Sequence, residues 1–361
     1  MMKWMDLLEE SATGYEELPV NVSVSPEEFN QVVEKYPMRI PEYYLSLIGQ
    51  DGEADPIRKM SVPSIDELSA EGSFDTSGEQ DNTVMKGLQH KYNQTALILS
   101  TNQCAMYCRY CFRRRLVGLS EGEVAEDKGE IMNYIAEHEE IRNVLVSGGD
   151  SLLLSNREIA EYLEGLCAID HLNYIRFGTK VPVVFPQRIN EDEELLELFC
   201  KYARLKQIYV VTQYNHAEEI SEESARAVKN LQAAGVVVKN QTVLLKGVND
   251  QPEILDALLQ KLTGLGIIPY YVFQCRPVTG ITNQFQVPIN RGVDIVEKAK
   301  SMQDGGGKSF RYILSDHEGK IEIVGKQEDG SVIFKFHQAK EPENQGKVFV
   351  RKLEDDVCWI R

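Results

Sequence analysis

The spacing of apolar and polar positions along this chain changes near residue 95. Before it, apolar residues recur at helical intervals. "SPEEFNQVVEKY" opens with Ser25 as N-cap, Pro26 at the first helical position and acids in the first turn, which predicts a helix. "QDGEADPIRKMSVP" (50–63) reads as a turn-rich connector, and "EGSFDTSGEQDNT" (71–83) as the most disorder-prone stretch. From 95 onward, short β-rich runs alternate with helical patterns. The runs are 95–101, 143–148, 174–178, 208–214, 236–245 and 268–275. Between them lie helices such as "SEESARAVKNLQAAG", with Ser221 as cap and Gly235 at the stop.

Six such units predict an α/β fold, either a partial parallel barrel or a doubly wound sheet. In both, the active site lies at the C-terminal ends of the strands. Beyond 305 the pattern turns to strands and turns, with "EDGS" (328–331) as a hairpin. The chain therefore divides into a helical N-terminal extension (1–90), a partial barrel (91–304) and a small β-rich tail (305–361).

Composition narrows the function. With 42% hydrophobic residues among 361, a full core is available. The net charge of -17 argues against a general nucleic-acid or membrane-surface binder, though a small-molecule site can be locally basic. No apolar run approaches a membrane span, and the acidic N-terminus lacks the marks of a signal peptide, so a cytoplasmic protein is expected. Seven cysteines, three within eight residues, do not suggest a disulfide framework; they point to metal or redox chemistry.

That chemistry centres on "TNQCAMYCRYCFRRR". Cys104, Cys108 and Cys111 have the spacing C-x3-C-x2-C directly after the first barrel strand. Three thiolates from one loop can bind three irons of a [4Fe–4S] cluster and leave the fourth iron for a small molecule. A structural zinc site would need a fourth ligand, and plain buried thiols are the other alternative. Arg109, Arg113, Arg114 and Arg115 flank the motif and could offset cluster charge or hold a carboxylate. Arg113, two residues past the last cysteine, is the one singled out.

With these residues in view, the chain resembles the lysine 2,3-aminomutase family of radical S-adenosylmethionine (SAM) enzymes. The resemblance runs in order through "PEYYLSLIGQDGEADPIRKMSVPS", "LQHKYNQTALILSTNQCAMYCRYCFRRR", "VLVSGGDSLLLS", "RFGTKVPVVFPQRI", "YNHAEEISEESARA", "KNQTVLLKGVND" and "PYYVFQC". It implies a partial (β/α)6 radical SAM barrel. It also implies an isomerase that moves an amino acid's α-amino group to Cβ by way of a 5′-deoxyadenosyl radical. The implied cofactors are a [4Fe–4S] cluster, SAM and pyridoxal 5′-phosphate (PLP). The implied partners are a small amino acid, a one-electron reductant such as flavodoxin or ferredoxin, and further copies of the chain in a homo-oligomer, with no nucleic acid and no membrane.

By the same resemblance Arg113, the "SGGD" turn (Ser147, Gly148, Gly149, Asp150) and Gln241 would contact SAM, the turn's alternative being a plain helix-capping βα turn. Lys91 and Tyr92 would contact the PLP phosphate, although the family pattern carries arginines here and Thr95 stands at the second. The lysine that carries PLP follows a strand in the family. Forty-four positions separate Arg276 from Lys320, close to the family's interval, so Lys320 is chosen over Lys308.

Two departures bear on the substrate. Lysine aminomutases carry an aspartate where this chain has Arg276, and a second family aspartate is replaced by Ser315, with Asp316 next. An arginine repels a lysine side chain and attracts a carboxylate, so free lysine is not expected, and an acidic amino acid such as glutamate is one choice. The alternative for Arg276 is an internal ion pair. The family's C-terminal zinc cysteines are missing, Cys358 standing alone, and Cys167, Cys200 and Cys275 read as core thiols. Competing functions are an aminomutase of protein-bound lysine, a radical SAM enzyme without PLP, and a cluster-bearing redox sensor.

Overall fold

The computed structural model describes residues 4–18, 25–49 and 52–360. Its frame is one sheet of twelve strands in sequence order. These are β1 (Thr83–Met85), β2 (Leu88–Tyr92), β3 (Thr95–Leu99), β4 (Asn143–Ser147), β5 (Tyr174–Gly178), β6 (Gln207–Thr212), β7 (Val237–Leu244), β8 (Ile268–Gln274), β9 (Arg311–Ser315), β10 (Gly319–Lys326), β11 (Val332–Ala339) and β12 (Val348–Arg351). From β3 to β9 every pairing is parallel; β1–β2–β3 and β9–β10–β11–β12 pair antiparallel.

β3 to β8 are the six strands of a partial barrel, each joined to the next by a helical crossover. Their side chains alternate: on β5, Ile175 and Phe177 are fully buried while Tyr174, Arg176 and Gly178 are half-buried. The fully buried set packs under helices such as Asn156–Cys167 and Glu222–Ala233, and the half-buried set faces the barrel interior. Capping follows the sequence: Ser25, Ser155 and Ser221 each accept an N–H from the first turn of their helix.

The barrel is open between β3 and β9. The N-terminal hairpin and the β10–β12 tail extend the sheet on the two sides of the opening and meet across it. The Lys91 ammonium donates to the Asp316 carbonyl, and Lys320 Nζ stands 4.4 Å from the Tyr92 ring centroid. Tyr312, Ile321 and Phe334 of the tail share a second core with barrel residues such as Leu244, Leu255 and Val272.

Three features differ from the sequence reading. Residues 83–92 form β1 and β2, so the boundary drawn at 90 falls inside a strand of the shared sheet. The connector at 50–63 contains a helix, Pro56–Ser61, capped by Asp55, while its first two residues lie outside the described ones. The stretch 71–83 is tied down. Asp75 accepts N–H groups from Ser77, Glu79 and Gln80, and Ser73 N–H donates to the Pro277 carbonyl. Among the described residues no helix is long and apolar enough to cross a membrane.

Candidate active site

The cysteine loop leaves the C-terminal end of β3 and is held from both sides by backbone. Gly149 N–H donates to the Thr101 carbonyl and Asp150 N–H to the Gln103 carbonyl, each at 2.7 Å. This contact is why the turn after β4 needs glycines. A Cβ at Gly148 would stand 2.1 Å from the Thr101 oxygen, one at Gly149 2.1 Å from the Gln103 oxygen, and Gly148 has φ +140°. Asp150 caps the short turn Ser151–Leu153 and accepts from the Thr179 hydroxyl and, at 2.6 Å, from Lys180 N–H. Its carboxylate is therefore committed to tying the turn after β4 to the end of β5.

The four arginines around the cysteines are paired in twos on buried acids. Arg109 and Arg114 share Glu67, which is fully buried; Arg109 also donates to the Pro37 and Tyr36 carbonyls. Arg113 and Arg115 share Glu79, at 2.7 and 2.8 Å. Burial works to raise the Glu79 pKa, but the two guanidiniums outweigh it and hold it at about 2. Arg113 also reaches the Ser147 hydroxyl and the Gly148 carbonyl, at 3.4 and 3.3 Å. These acids lie in the extension, so the N-terminal region is built onto the loop. Glu67 and Glu79 were not picked out from sequence, because nothing local marks them; their partners are 34 to 47 positions away.

Beneath the loop, Tyr110 OH accepts from Lys180 Nζ (2.8 Å) and Asn215 Nδ2 (2.7 Å), and Lys180 is bound to buried Glu219. This network also went unread in the sequence.

Inside the barrel is a cavity of about 560 Å³. Its lining includes Cys104, Cys108 and Cys111, Arg113, the Ser147–Asp150 turn and Gln241 on β7. The same lining includes Lys91, Tyr92, Arg276, Ser315 and Lys320. Every site residue expected from the sequence thus faces one space. Lys308 does not; it is exposed in the turn after the helix Ile289–Met302.

Lys320 is the second residue of β10, where its ammonium donates to Gln338 Oε1 at 3.1 Å. Burial, then the charges of Arg176, Lys91 and Arg276, lower its pKa to about 7. Lys91 donates to the Ser77 and Asp316 carbonyls, and burial with Arg276 lowers it to about 8. Arg276 lies over the Phe112 ring at 4.3 Å. It donates to the Ser315 hydroxyl at 3.1 Å and reaches that of Thr76 at 3.5 Å. It is in none of the ion pairs formed among the described residues, so the internal-pair alternative has no partner there. Cys275 is buried at the cavity, whereas Cys167 and Cys200 are only half-buried at helix edges.

The radical SAM superfamily model matches residues 98–258, which span the end of β3, the cysteine loop and β4 to β7. A protein of Aquifex aeolicus provisionally named as an L-lysine 2,3-aminomutase is 41% identical over 335 residues, 92% of this chain and 89% of that one. The L-lysine 2,3-aminomutase of Fusobacterium nucleatum is 36% identical, covering 84% of this chain and 71% of its own. This chain belongs to the lysine 2,3-aminomutase family of radical SAM enzymes. A glutamate 2,3-aminomutase of Clostridioides difficile is also similar, 37% identical over 77% of this chain and 65% of that one. The family's cofactors are a [4Fe–4S] cluster, SAM and PLP.

The residues present fit these groups. Burial raises all three thiol pKa values, Cys111 to about 11, so alone they stay protonated, and it is the charge of a bound iron that would draw off their protons. Among the described residues no three such groups converge on a point that one ion could occupy. In a [4Fe–4S] cluster each thiolate takes a different iron, so the ligands stand apart. A lysine lowered to about 7 in a cationic cavity suits a phosphorylated carbonyl cofactor.

Proposed function

We propose that this 2,3-aminomutase acts on a free acidic amino acid, glutamate being the leading choice, and that Arg276 takes the side-chain carboxylate. The observation that carries this is Arg276 itself. It is a guanidinium on the cavity wall that, among the described residues, forms no ion pair and donates to two hydroxyls; of the two acids acting on it, Glu79 is shared by Arg113 and Arg115 and Asp316 accepts the Glu318 and Gly319 N–H groups. A lysine ammonium placed there is repelled, whether the lysine is free or part of a protein. A carboxylate gains a charge-assisted contact with a planar donor.

The bound cofactors supply a 5′-deoxyadenosyl radical and a carrier for the migrating nitrogen. The chain's own residues do the rest. Cys104, Cys108 and Cys111 would hold the cluster. Gln241, Arg113 and the Ser147–Asp150 turn would line the SAM side, with Asp150 acting through the turn it braces. Lys320 would carry PLP, with Lys91 and Tyr92 beside it. The helices outside the barrel and the hairpin across its opening exclude water, as radical chemistry requires. A one-electron reductant is drawn from outside. Seven free thiols suit a reducing compartment such as the cytoplasm, and a homo-oligomer follows by family analogy.

The test is anaerobic incubation of reconstituted enzyme with SAM, PLP, reductant and single amino acids. Glutamate should convert without mass change to its β-amino isomer, and Arg276→Asp should lose that activity and gain turnover of lysine. Faster turnover of lysine than glutamate by the unaltered enzyme overturns the substrate assignment. Formation of 5′-deoxyadenosine with no isomer from any amino acid overturns the aminomutase reading itself.

A further inference from the structure

The interior wall of the barrel holds a second arginine that the roles above leave unused. Arg176 faces inward from β5, between outward-facing Ile175 and Phe177. The strand register places it level with Leu145 on β4, Leu97 on β3 and Gln89 on β2. It lines the same cavity as Lys320. Its Nε is closed off from solvent and has no hydrogen-bond partner among the described residues, and the same is true of Gln89 Nε2 on that level of the sheet. The charged and phenolic groups acting on Arg176 are Tyr270, Tyr174 and Tyr271, with no carboxylate among them. Lys239 on β7, set against the Tyr209 and Tyr270 rings, adds a further cation close by.

A guanidinium that faces a barrel cavity without a counter-charge is unfavourable until an anion joins it. Lys91, by contrast, already commits its ammonium to two carbonyls that tie the hairpin to the tail. Thr95, where the family pattern has a second arginine, is occupied with the Asn143 side chain. The phosphate of a cofactor carried on Lys320 must lie within a side chain's reach of that lysine, and a guanidinium meets phosphate oxygens in a two-pronged fashion.

We propose that Arg176 anchors the 5′-phosphate of PLP from inside the barrel, in the place left by the threonine at 95. Its charge is also the largest acting on Lys320 after burial, so phosphate on Arg176 relieves the repulsion around that amine. The inference rests on Lys320 carrying PLP.

The experiment compares PLP with pyridoxal, which lacks the phosphate. Each is titrated into PLP-free enzyme and followed by the absorbance of the lysine-bound cofactor, in the unaltered chain, Arg176→Gln and Arg176→Lys. The unaltered chain should prefer PLP. Arg176→Gln should weaken PLP about tenfold to a hundredfold relative to pyridoxal at the same pH, the loss expected for a charge-assisted contact. Arg176→Lys should recover part of the preference. Unchanged PLP affinity overturns the proposal; so does equal weakening of both compounds, which marks a structural role. A raised KM for the amino acid with the PLP preference intact also overturns it, since the guanidinium then serves a substrate carboxylate. Should Arg176→Gln fail to fold, Arg176→Lys is read on the same ratio. Absence of any adduct in the unaltered chain overturns the Lys320 assignment as well, and so separates the two failures.

Discussion

Lys320 should titrate near neutrality, and the rate at which it captures a carbonyl should follow. Its pKa is lowered from 10.5 to about 7 because burial disfavours the ammonium and because Arg176, Lys91 and Arg276 repel it. Only the neutral amine attacks a carbonyl. At pH 7.5 about three-quarters of such amines are neutral, against about 0.1% of ordinary lysines, an advantage on the order of a thousandfold. The assay uses pyridoxal, so that no phosphate alters the local charge. Adduct formation is followed by absorbance from about pH 5.5 to 9.5, then reduced and mapped by mass spectrometry. The rate should rise with a midpoint near 7 and level off above it. Lys320→Ala should abolish the adduct and Lys308→Ala should leave the profile unchanged. Arg176→Gln removes the largest repelling charge, so the midpoint should move up, though burial keeps it below the usual lysine value. A midpoint near 10, or an adduct mapped to Lys308, refutes this reasoning.

Other outcomes follow from the scaffold of the cysteine loop. Glu79→Gln leaves Arg113 and Arg115 without their shared acid and should lower stability by about 3–5 kcal/mol in denaturant unfolding. The Glu79 pKa is depressed from 4.5 to about 2, so its contribution is complete above 4.5 and is lost as pH falls from there through about 2. Acid unfolding of the unaltered chain should therefore steepen in that window, and in Glu79→Gln it should not. Glu67→Gln should be as destabilising by the same measure, because it strands Arg109 and Arg114. Gly149→Ala drives a Cβ against the Gln103 carbonyl, and should sharply reduce iron bound per chain after reconstitution.

The six barrel strands were legible because each is a compact β-rich run with a capped helix behind it. β1 and β2 were not, because "TVMKGLQHKY" is polar and its two short strands take their identity from pairing with β3. The cysteines announced themselves by spacing, and the preference for Lys320 over Lys308 came from the family resemblance, through the order of strand and lysine and the interval from Arg276. What the loop arginines do was hidden, since their acids lie 34 to 47 positions back, Glu79 in a stretch that reads as disorder-prone and Glu67 just before it, with nothing local to mark either. The "SGGD" glycines looked like a ligand cradle; the packing shows that they make room for the cysteine loop. Arg176 passed as one basic residue in an apolar run. Its alternation with Ile175 and Phe177 was the available signal that it points inward.

The charge distribution ties these residues to one test of ligand class. The chain carries a net charge of -17, yet Lys91, Arg176, Arg276 and Lys320 line one cavity and none is in an ion pair among the described residues. Such a cavity is held together against its own repulsion by the surrounding sheet, and guests that bring negative charge should stabilise the whole fold. At a hundred times its dissociation constant, a ligand specific for the folded state adds about 2.7 kcal/mol. Thermal unfolding of the PLP-free chain should therefore shift upward with PLP, and the PLP-loaded chain should shift again with glutamate. Lysine at the same concentration should give little shift, because its ammonium meets Arg276. Reversing the charge in Arg276→Asp should reverse that order of the two amino acids. Equal stabilisation by glutamate and lysine in the unaltered chain would mean that Arg276 does not face the substrate's side chain, whatever its place on the wall.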